Sequence, residues 1–441
     1  MIRARFHHGF INAPPNPSQS PLQKNITKEA ARQKLSLLVP DSFLSLGKLF
    51  DLKSFYPSLP SPLHAAASAA ISFPMLRGAE QWLFSYLTRE RHSRRITPEQ
   101  PLHACIAVCD HFEPLHHTDK TGALKAIGDW QAAWPDLVKN HPDSSGRGPR
   151  HTFFFPVEQY DADLLAPVAS LCSQTGSEVE IHLHHDNDTE ESVSKLLLDG
   201  VRDLASHGLL TRSADGTPRY AFIHGNWALD NSRPDGRWCG VSNELAVLKR
   251  TGCYADLTMP SAPDSCQTRT VNAIYYAQED GCAKSHDRGT PVEAGKTAPL
   301  RDKDDHLLLI QGPLGLNWSR RKWGLLPRLE NGDLTGNNPP TVQRTRLWLE
   351  LCPRVKDGAP WVFIKLHTHA GIPKNYRALL GDPARRFYQG LTELGRSLPG
   401  FHHHFVTARE MVNLIHAAED GKTGSPADWL DYRYARPPVL G

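Results

Sequence analysis

Glu178-Val179-Glu180-Ile181-His182-Leu183-His184-His185-Asp186-Asn187-Asp188 is the stretch from which the fold is read. Residues 178–184 form a short strand candidate that ends in a burst of polar groups. A segment of helical period, Thr189 to Ser206, follows at once. Asp188 is placed to accept its first orphan N–H groups, Glu191 stands three residues further on, and Gly208 lies past its last turn.

Working outward, the same strand-then-helix unit recurs. Further strand candidates are His103 to Cys109, His151 to Pro156, Ala221 to Asn226, Cys253 to Met259, His306 to Gln311, Trp361 to His367 and His404 to Val406. Helical periods cover Leu124 to Asn140, Asp161 to Thr175, Asn243 to Thr251, Val342 to Leu351, Pro383 to Ser397 and Ala408 to Ala418. Parallel neighbours need a crossover, and helices supply one, so this alternation predicts an α/β fold with parallel pairing. A (β/α) barrel with seven or eight strands is the most economical closure. The alternative is an open doubly wound sheet, but no Gly-x-Gly-x-x-Gly follows a strand.

Length and composition bound the rest. A chain of 441 residues exceeds one ordinary compact domain, and 39% apolar with 22% charged residues describes a folded protein. Residues 1–95 show no clean period and read as an N-terminal extension, partly disordered and partly helical, with a helical patch at Ile26 to Leu38. Its Phe43, Leu44, Leu49, Phe50 and Phe55 are expected to pack on the main domain, with a membrane surface or partner as the alternative. Residues 96–420 form the barrel, and 421–441 a loosely attached tail. Residues 268–305 and 312–340, rich in Gly, Pro and Asn, are expected to be long loops over one end.

Fifty Lys and Arg against 47 Asp and Glu leave a net charge of +3, so no long-range field argues for nucleic acid. The apolar stretch Ala65 to Leu76 contains Pro74 and is too short to span a bilayer. No signal peptide is readable, which gives a cytoplasmic expectation with peripheral membrane association left open. The 8 cysteines lack any Cys-x-x-Cys pair and read as buried free thiols rather than disulfides or a structural zinc site.

Histidine carries the chemical signal: 23 are present, eleven of them in clusters at 111/116/117, 182/184/185, 367/369 and 402–404. Strand ends deliver Asp110-His111-Phe112-Glu113, then His182 to Asp188, then His224-Gly225-Asn226-Trp227, and finally His367-Thr368-His369. In parallel barrels that rim is where sites are assembled. His182 and His184 lie on one face of an extended strand, so both imidazoles can reach one ion; if the chain turns helical, Asp186 replaces His184 as the co-facial partner. With Asp110 or His111 added, the set suits a divalent metal, zinc first. Such an ion polarises a carbonyl and activates water. Asp110 is the candidate proton acceptor and His367 the candidate donor, with His369, His224, Asn226, Trp227 and Asp256 as substrate-contact candidates. Trp227, Trp238, Trp318 and Trp323 suit sugar rings.

This pattern resembles the polysaccharide deacetylase superfamily, metal-dependent carbohydrate esterases with a distorted (β/α) barrel, over roughly residues 100–418. Val108-Cys109-Asp110-His111-Phe112 is similar to the family's Thr-Phe-Asp-Asp-Gly, with His111 in place of the second Asp. Glu178 to His182 fits the approach to its His-Ser-x-x-His motif, with Asp186 where the second His would stand and His184 as the substitute. Gly252 to Thr258, Leu366-His367 and Phe405-Val406-Thr407-Ala408-Arg409-Glu410 resemble later family segments. The Arg-containing third motif is here His224 to Asp230. The resemblance implies a zinc-type hydrolase that removes acyl groups, N-acetyl first, from a carbohydrate or polysaccharide, in a setting such as bacterial exopolysaccharide assembly. Three other readings compete: an amidohydrolase-type metal hydrolase, because His-x-His occurs twice; a glycoside hydrolase recruiting Glu113, Asp186 and Asp256; and a non-catalytic glycan-binding barrel.

Overall fold

The computed structural model describes residues 78–89 and 96–441. The helical patch at 26–38 and the apolar residues expected to dock from the N-terminal extension lie outside the described residues.

In chain order the elements begin with α1 (Ala79–Thr88), β1 (Leu102–His111), α2 (Lys120–Asn140), β2 (Thr152–Pro156), α3 (Ala162–Thr175), β3 (Glu178–Leu183) and α4 (Glu190–Ser206). Next come β4 (Thr211–Arg212), β5 (Pro218–His224), α5 (Glu244–Thr251), β6 (Cys253–Asp256), β7 (Ile274–Gln278), β8 (Thr290–Pro291) and β9 (His306–Ile310). The last are β10 (Gly315–Lys322), β11 (Leu326–Glu330), α6 (Val342–Leu351), β12 (Trp361–Thr368), α7 (Pro373–Leu380), α8 (Asp382–Ser397), β13 (Phe401–Phe405) and α9 (Ala408–Glu419).

The fold is mixed α/β on a largely parallel sheet. Strands pair in the order β12-β1-β2-β3-β5-β6-β9, all parallel, and antiparallel β7 and β8 extend the far end. β1 is long enough to serve two partners along one edge: β13 pairs with Leu102–Ile106 and β2 with Cys109–His111. No ladder joins the two ends of the sheet among the described residues. The outer edge of β12 is instead met by an irregular segment, where Leu334 N donates to His367 O (2.7 Å) and His367 N to Gly332 O (3.1 Å).

Alternation along β1 separates two apolar layers. Ala104 and Ile106 join Trp130, Val168, Leu197, Leu245 and Phe387, contributed by α2, α3, α4, α5 and α8. Cys105, Ala107 and Cys109 face the other way, with Ile223, Phe363 and the α9 side chains Met411, Val412 and Ile415. Every residue of α9 is buried. A helix enclosed on all sides must pair its polar groups, and this one does. Arg409 meets Glu178 (2.8 Å) and Asp431 (2.9 Å), Asn413 donates to Leu430 O (2.7 Å), and Glu419 accepts from Arg301 (2.7 Å). The Thr407-to-Glu410 segment is a capping box: Thr407 Oγ1 accepts from Glu410 N (3.2 Å), and Glu410 Oε2 from Thr407 N (3.0 Å).

Three expectations are corrected. The tail is tied down rather than loose, through the α9 contacts above, Trp361 Nε1 donating to Gly424 O (3.2 Å), and Val439 N donating to Gly208 O (2.9 Å). The supposed loops hold β7, β8 and the β10–β11 hairpin, strands that are short or, as in β10, mostly polar. The cap of α4 is Thr189, in reciprocal bonds with Ser192; Asp188 accepts from Ser192 Oγ (2.8 Å). Among the described residues no helix is long and apolar enough to cross a membrane. All eight cysteines are free, seven of them buried.

Candidate metal centre

Because β1, β3, β5 and β12 run parallel, their carboxyl ends open at one rim. On β1, His111 continues the α9-facing row of Cys105, Ala107 and Cys109, and the chain turns so that Glu113 follows it. On β3, Glu178, Glu180 and His182 share that face, with Glu180 bonded to Tyr254.

The imidazoles converge on one carboxylate. Glu113 Oε1 lies 3.4 Å from His182 Nε2, 3.3 Å from His184 Nε2 and 3.8 Å from His369 Nδ1, while Glu113 Oε2 lies 3.3 Å from His116 Nδ1. The His111 ring sits 4.4 Å from that of His369, 5.0 Å from His182 and 6.1 Å from His367, centre to centre. Two close backbone approaches make room. A Cβ on Gly225 would stand 2.3 Å from His184 Cδ2, and one on Gly371 would stand 2.1 Å from Glu113 O.

Hydrogen bonding settles which nitrogens are free. His182 Nδ1 faces Ile223 O at 2.7 Å, and a carbonyl only accepts, so Nδ1 carries the proton. In the neutral ring Nε2 then points a lone pair at the Glu113 oxygen. His184 Nδ1 likewise donates to Glu158 Oε1 (2.7 Å), aiming its Nε2 at the same oxygen. A lone pair facing a buried carboxylate repels it, so either a proton or a metal ion must stand between each of these nitrogens and Glu113. The ligating imidazole of a metal site donates its other N–H to a carbonyl or carboxylate in this way. His111 Nε2 and His367 Nδ1 are also buried without a hydrogen-bond partner. His111, Glu113 and His182 can present one donor atom each within 4.8 Å of one another.

Electrostatics follow from the crowding. Burial alone would raise the Glu113 carboxyl, but bonds from His182, His184 and His369 outweigh it and hold it far below the usual range. Burial likewise opposes protonation of His184, yet Glu113 and Glu158 lift it to about 9. Burial first, then His369 and His182, depress His111; burial, then Lys365 and His369, depress His367. Nitrogen and carboxylate donors suit zinc. The rim is open on one side, with the side chains of His184 and His369 exposed by 26% and 28%. A catalytic metal needs that vacant direction, where a structural one does not.

The expected residues divide. His111, His182, His184, His367 and His369 come together, with Trp227 beside them at 6.0 Å from the His369 ring. Asp110 does not join them: it points to the opposite face, where its Oδ2 accepts from His151 (2.9 Å) and its Oδ1 from Ala370 N (2.8 Å). Strand alternation is the reason, since adjacent residues of β1 cannot both face the rim. Asp110 therefore fixes the turn that carries His369. Asp186 accepts from Trp238 N (2.5 Å) outside the cluster, so His184 is the co-facial partner on an extended strand. Asp256 is buried and accepts from Thr258 N (3.0 Å) and Oγ1 (2.6 Å); burial raises it to about 6. Asn226 adopts a left-handed conformation (φ 53°) and its carbonyl meets Cys266 Sγ at 4.0 Å. His224 belongs to a separate buried group with His185, Cys239 and Glu244. Glu113, read in the sequence only as a glycosidase carboxylate, was missed as a member of this cluster, although its i, i+2 spacing from His111 was an available signal.

No protein-family model matches this chain, and no curated protein is similar to it.

Proposed function

We propose that this protein is a metal-dependent hydrolase that removes acyl groups, N-acetyl first, from a carbohydrate or polysaccharide. The observation that carries this reading is the convergence of four imidazoles, those of His116, His182, His184 and His369, on the Glu113 carboxylate at one open rim of a parallel sheet, with the His111 and His367 rings beside them. The sheet with α9 against one face reads as a distorted (β/α) barrel, with residues 332–334 standing along β12 where a further strand would close it.

His111, Glu113 and His182 would hold the ion. When bound, a divalent metal polarises a substrate carbonyl and makes its water a nucleophile near neutral pH. The chain supplies the rest. Glu158 orients His184, whose imidazolium is the proton donor for the leaving amine; this replaces His367, which burial keeps neutral. His367, with an unpartnered Nδ1 beside the cluster, is the group able to accept a proton. Trp227 offers an indole at the open side for a sugar ring.

The test incubates the full chain, loaded with zinc, with N- and O-acetylated oligosaccharides and measures free acetate. Release that stops on chelation and in Glu113→Gln supports the reading. Turnover that survives chelation, or shorter saccharides without acetate, overturns it. Both His-x-His pairs reach the rim, and this favours amidohydrolase chemistry as the second reading; ring opening of a cyclic amide would distinguish it.

A further inference from the structure

Beneath the open rim lies a second group of donors that the proposed chemistry does not use. It draws on four parts of the chain: His185 just after β3, His224 at the end of β5, Cys239 in the connection to α5, and Glu244 at the start of α5. All four are buried, and one donor atom from each lies within 4.8 Å of the others. His185 Nε2 is 2.9 Å from His224 Nε2 and 3.1 Å from Glu244 Oε1. His224 Nε2 is 3.5 Å from Glu244 Oε1, and Cys239 Sγ is 3.4 Å from Glu244 Oε2. Zinc bonds of about 2.0–2.1 Å to nitrogen and about 2.3 Å to sulfur place neighbouring tetrahedral donors about 3.3–3.7 Å apart. The measured separations lie close to those edges.

The outer partners point the same way. His224 Nδ1 donates to Gly225 O, which leaves Nε2 as a lone pair directed at the group. Asp188 Oδ2 stands 3.4 Å from His185 Nδ1, and Glu244 Oε2 also accepts from Asp230 N (2.6 Å). His224 and Glu244 are thus oriented from behind, as metal ligands are, and Cys239 Sγ accepts from Asn231 N (3.3 Å) and Val241 N (3.4 Å).

We propose that His185, His224, Cys239 and Glu244 form a closed, structural zinc site, distinct in its donors from the open rim. Its four protein ligands leave no position for substrate. Its role is mechanical. Residues 225–243 join β5 to α5 with two short 3₁₀ turns and neither strand nor α-helix, and Asn226, Trp227, Asp230, Asn231 and Trp238 all hold positive φ. A segment this long and irregular needs an anchor. The ion would pin both its ends, and with them Trp227. Binding expels the Cys239 thiol proton, since the thiolate is the ligand.

The experiment reconstitutes the chelated full-length protein with zinc alone and counts bound equivalents by elemental analysis. In parallel, cobalt(II) replaces zinc and the thiolate-to-cobalt charge-transfer band is recorded. Two zinc equivalents and that band are expected in the native protein. One equivalent should remain, with the band intact, in Glu113→Gln; one should remain, without the band, in Cys239→Ser. A native protein that binds a single equivalent and shows no thiolate band overturns the proposal: the four groups then share protons rather than a metal. Because the band is read on the native chain, a Cys239→Ser protein that fails to fold does not remove the test. Loss of catalysis with the band retained would count against the open rim alone.

Discussion

At the residue scale, Asp110 and Glu113 exchange the roles that their sequence positions suggest. Asp110 follows a strand and precedes a histidine, which made it a ligand and base candidate, but the strand turns it away from the rim to His151 and Ala370 N. Asp110→Ala leaves those buried donors unpaired, at a cost of about 1–3 kcal/mol. Urea denaturation should register that loss, while zinc content stays unchanged. If zinc is lost from folded protein, Asp110 is a ligand after all. Glu158 acts from behind His184, the proposed proton donor, and Glu158→Gln should lower turnover by up to about 100-fold while zinc content stays unchanged, measured by acetate release beside elemental analysis. Histidine clustering was legible because imidazoles at strand ends are chemically conspicuous. Glu113, Cys239 and Glu244 were not, since a carboxylate in a turn, a lone thiol and an acidic first-turn residue each have ordinary structural explanations. Only the fold brings them beside imidazoles.

At the scale of single elements, α9 shows how a sequence segment can be read correctly while its surroundings stay illegible. Its helical period from Ala408 to Ala418 was visible, yet nothing in that period announces burial on every side. The informative residue is Arg409, whose guanidinium meets Glu178 at 2.8 Å with neither side chain exposed above 1%. Arg409→Met strands that carboxylate and should cost about 3–5 kcal/mol in urea denaturation. An unchanged midpoint would show that the pair carries no stability. The eight strands read in the sequence declared themselves through apolar runs between turn residues. β7, β8 and β11 did not, because two to five residues beside irregular chain give too little period to read, nor did β10, whose eight residues are mostly polar.

For the whole molecule, the end opposite the rim answers acid. There His103 on β1 and His404 on β13 meet, Nδ1 to Nε2, at 2.9 Å, with His402 stacked on His103. Burial, then His402, brings His103 down to about 4, and burial depresses His404 as well, against the pull of Asp143. An unfolded histidine titrates near 6.5. Between those values the unfolded chain takes up protons that the folded one refuses, so the contribution of this pair is complete above about pH 6.5 and declines as pH falls toward about 4. Urea midpoints across that interval should fall, and His103→Gln should flatten the slope. A midpoint that rises on acidification would contradict the assignment.

The enclosed position of α9 also bears on biogenesis. The ribosome releases the plug of this sheet only after the thirteen strands of the described residues have been synthesised. Until then a nascent chain holds an unfilled concavity faced with Cys105, Ala107, Phe363 and Ile223, a greasy hollow of the kind chaperones shelter. Premature termination ahead of Thr407 would leave that hollow permanently vacant, so truncated products should partition into aggregates rather than persist as a smaller soluble fold.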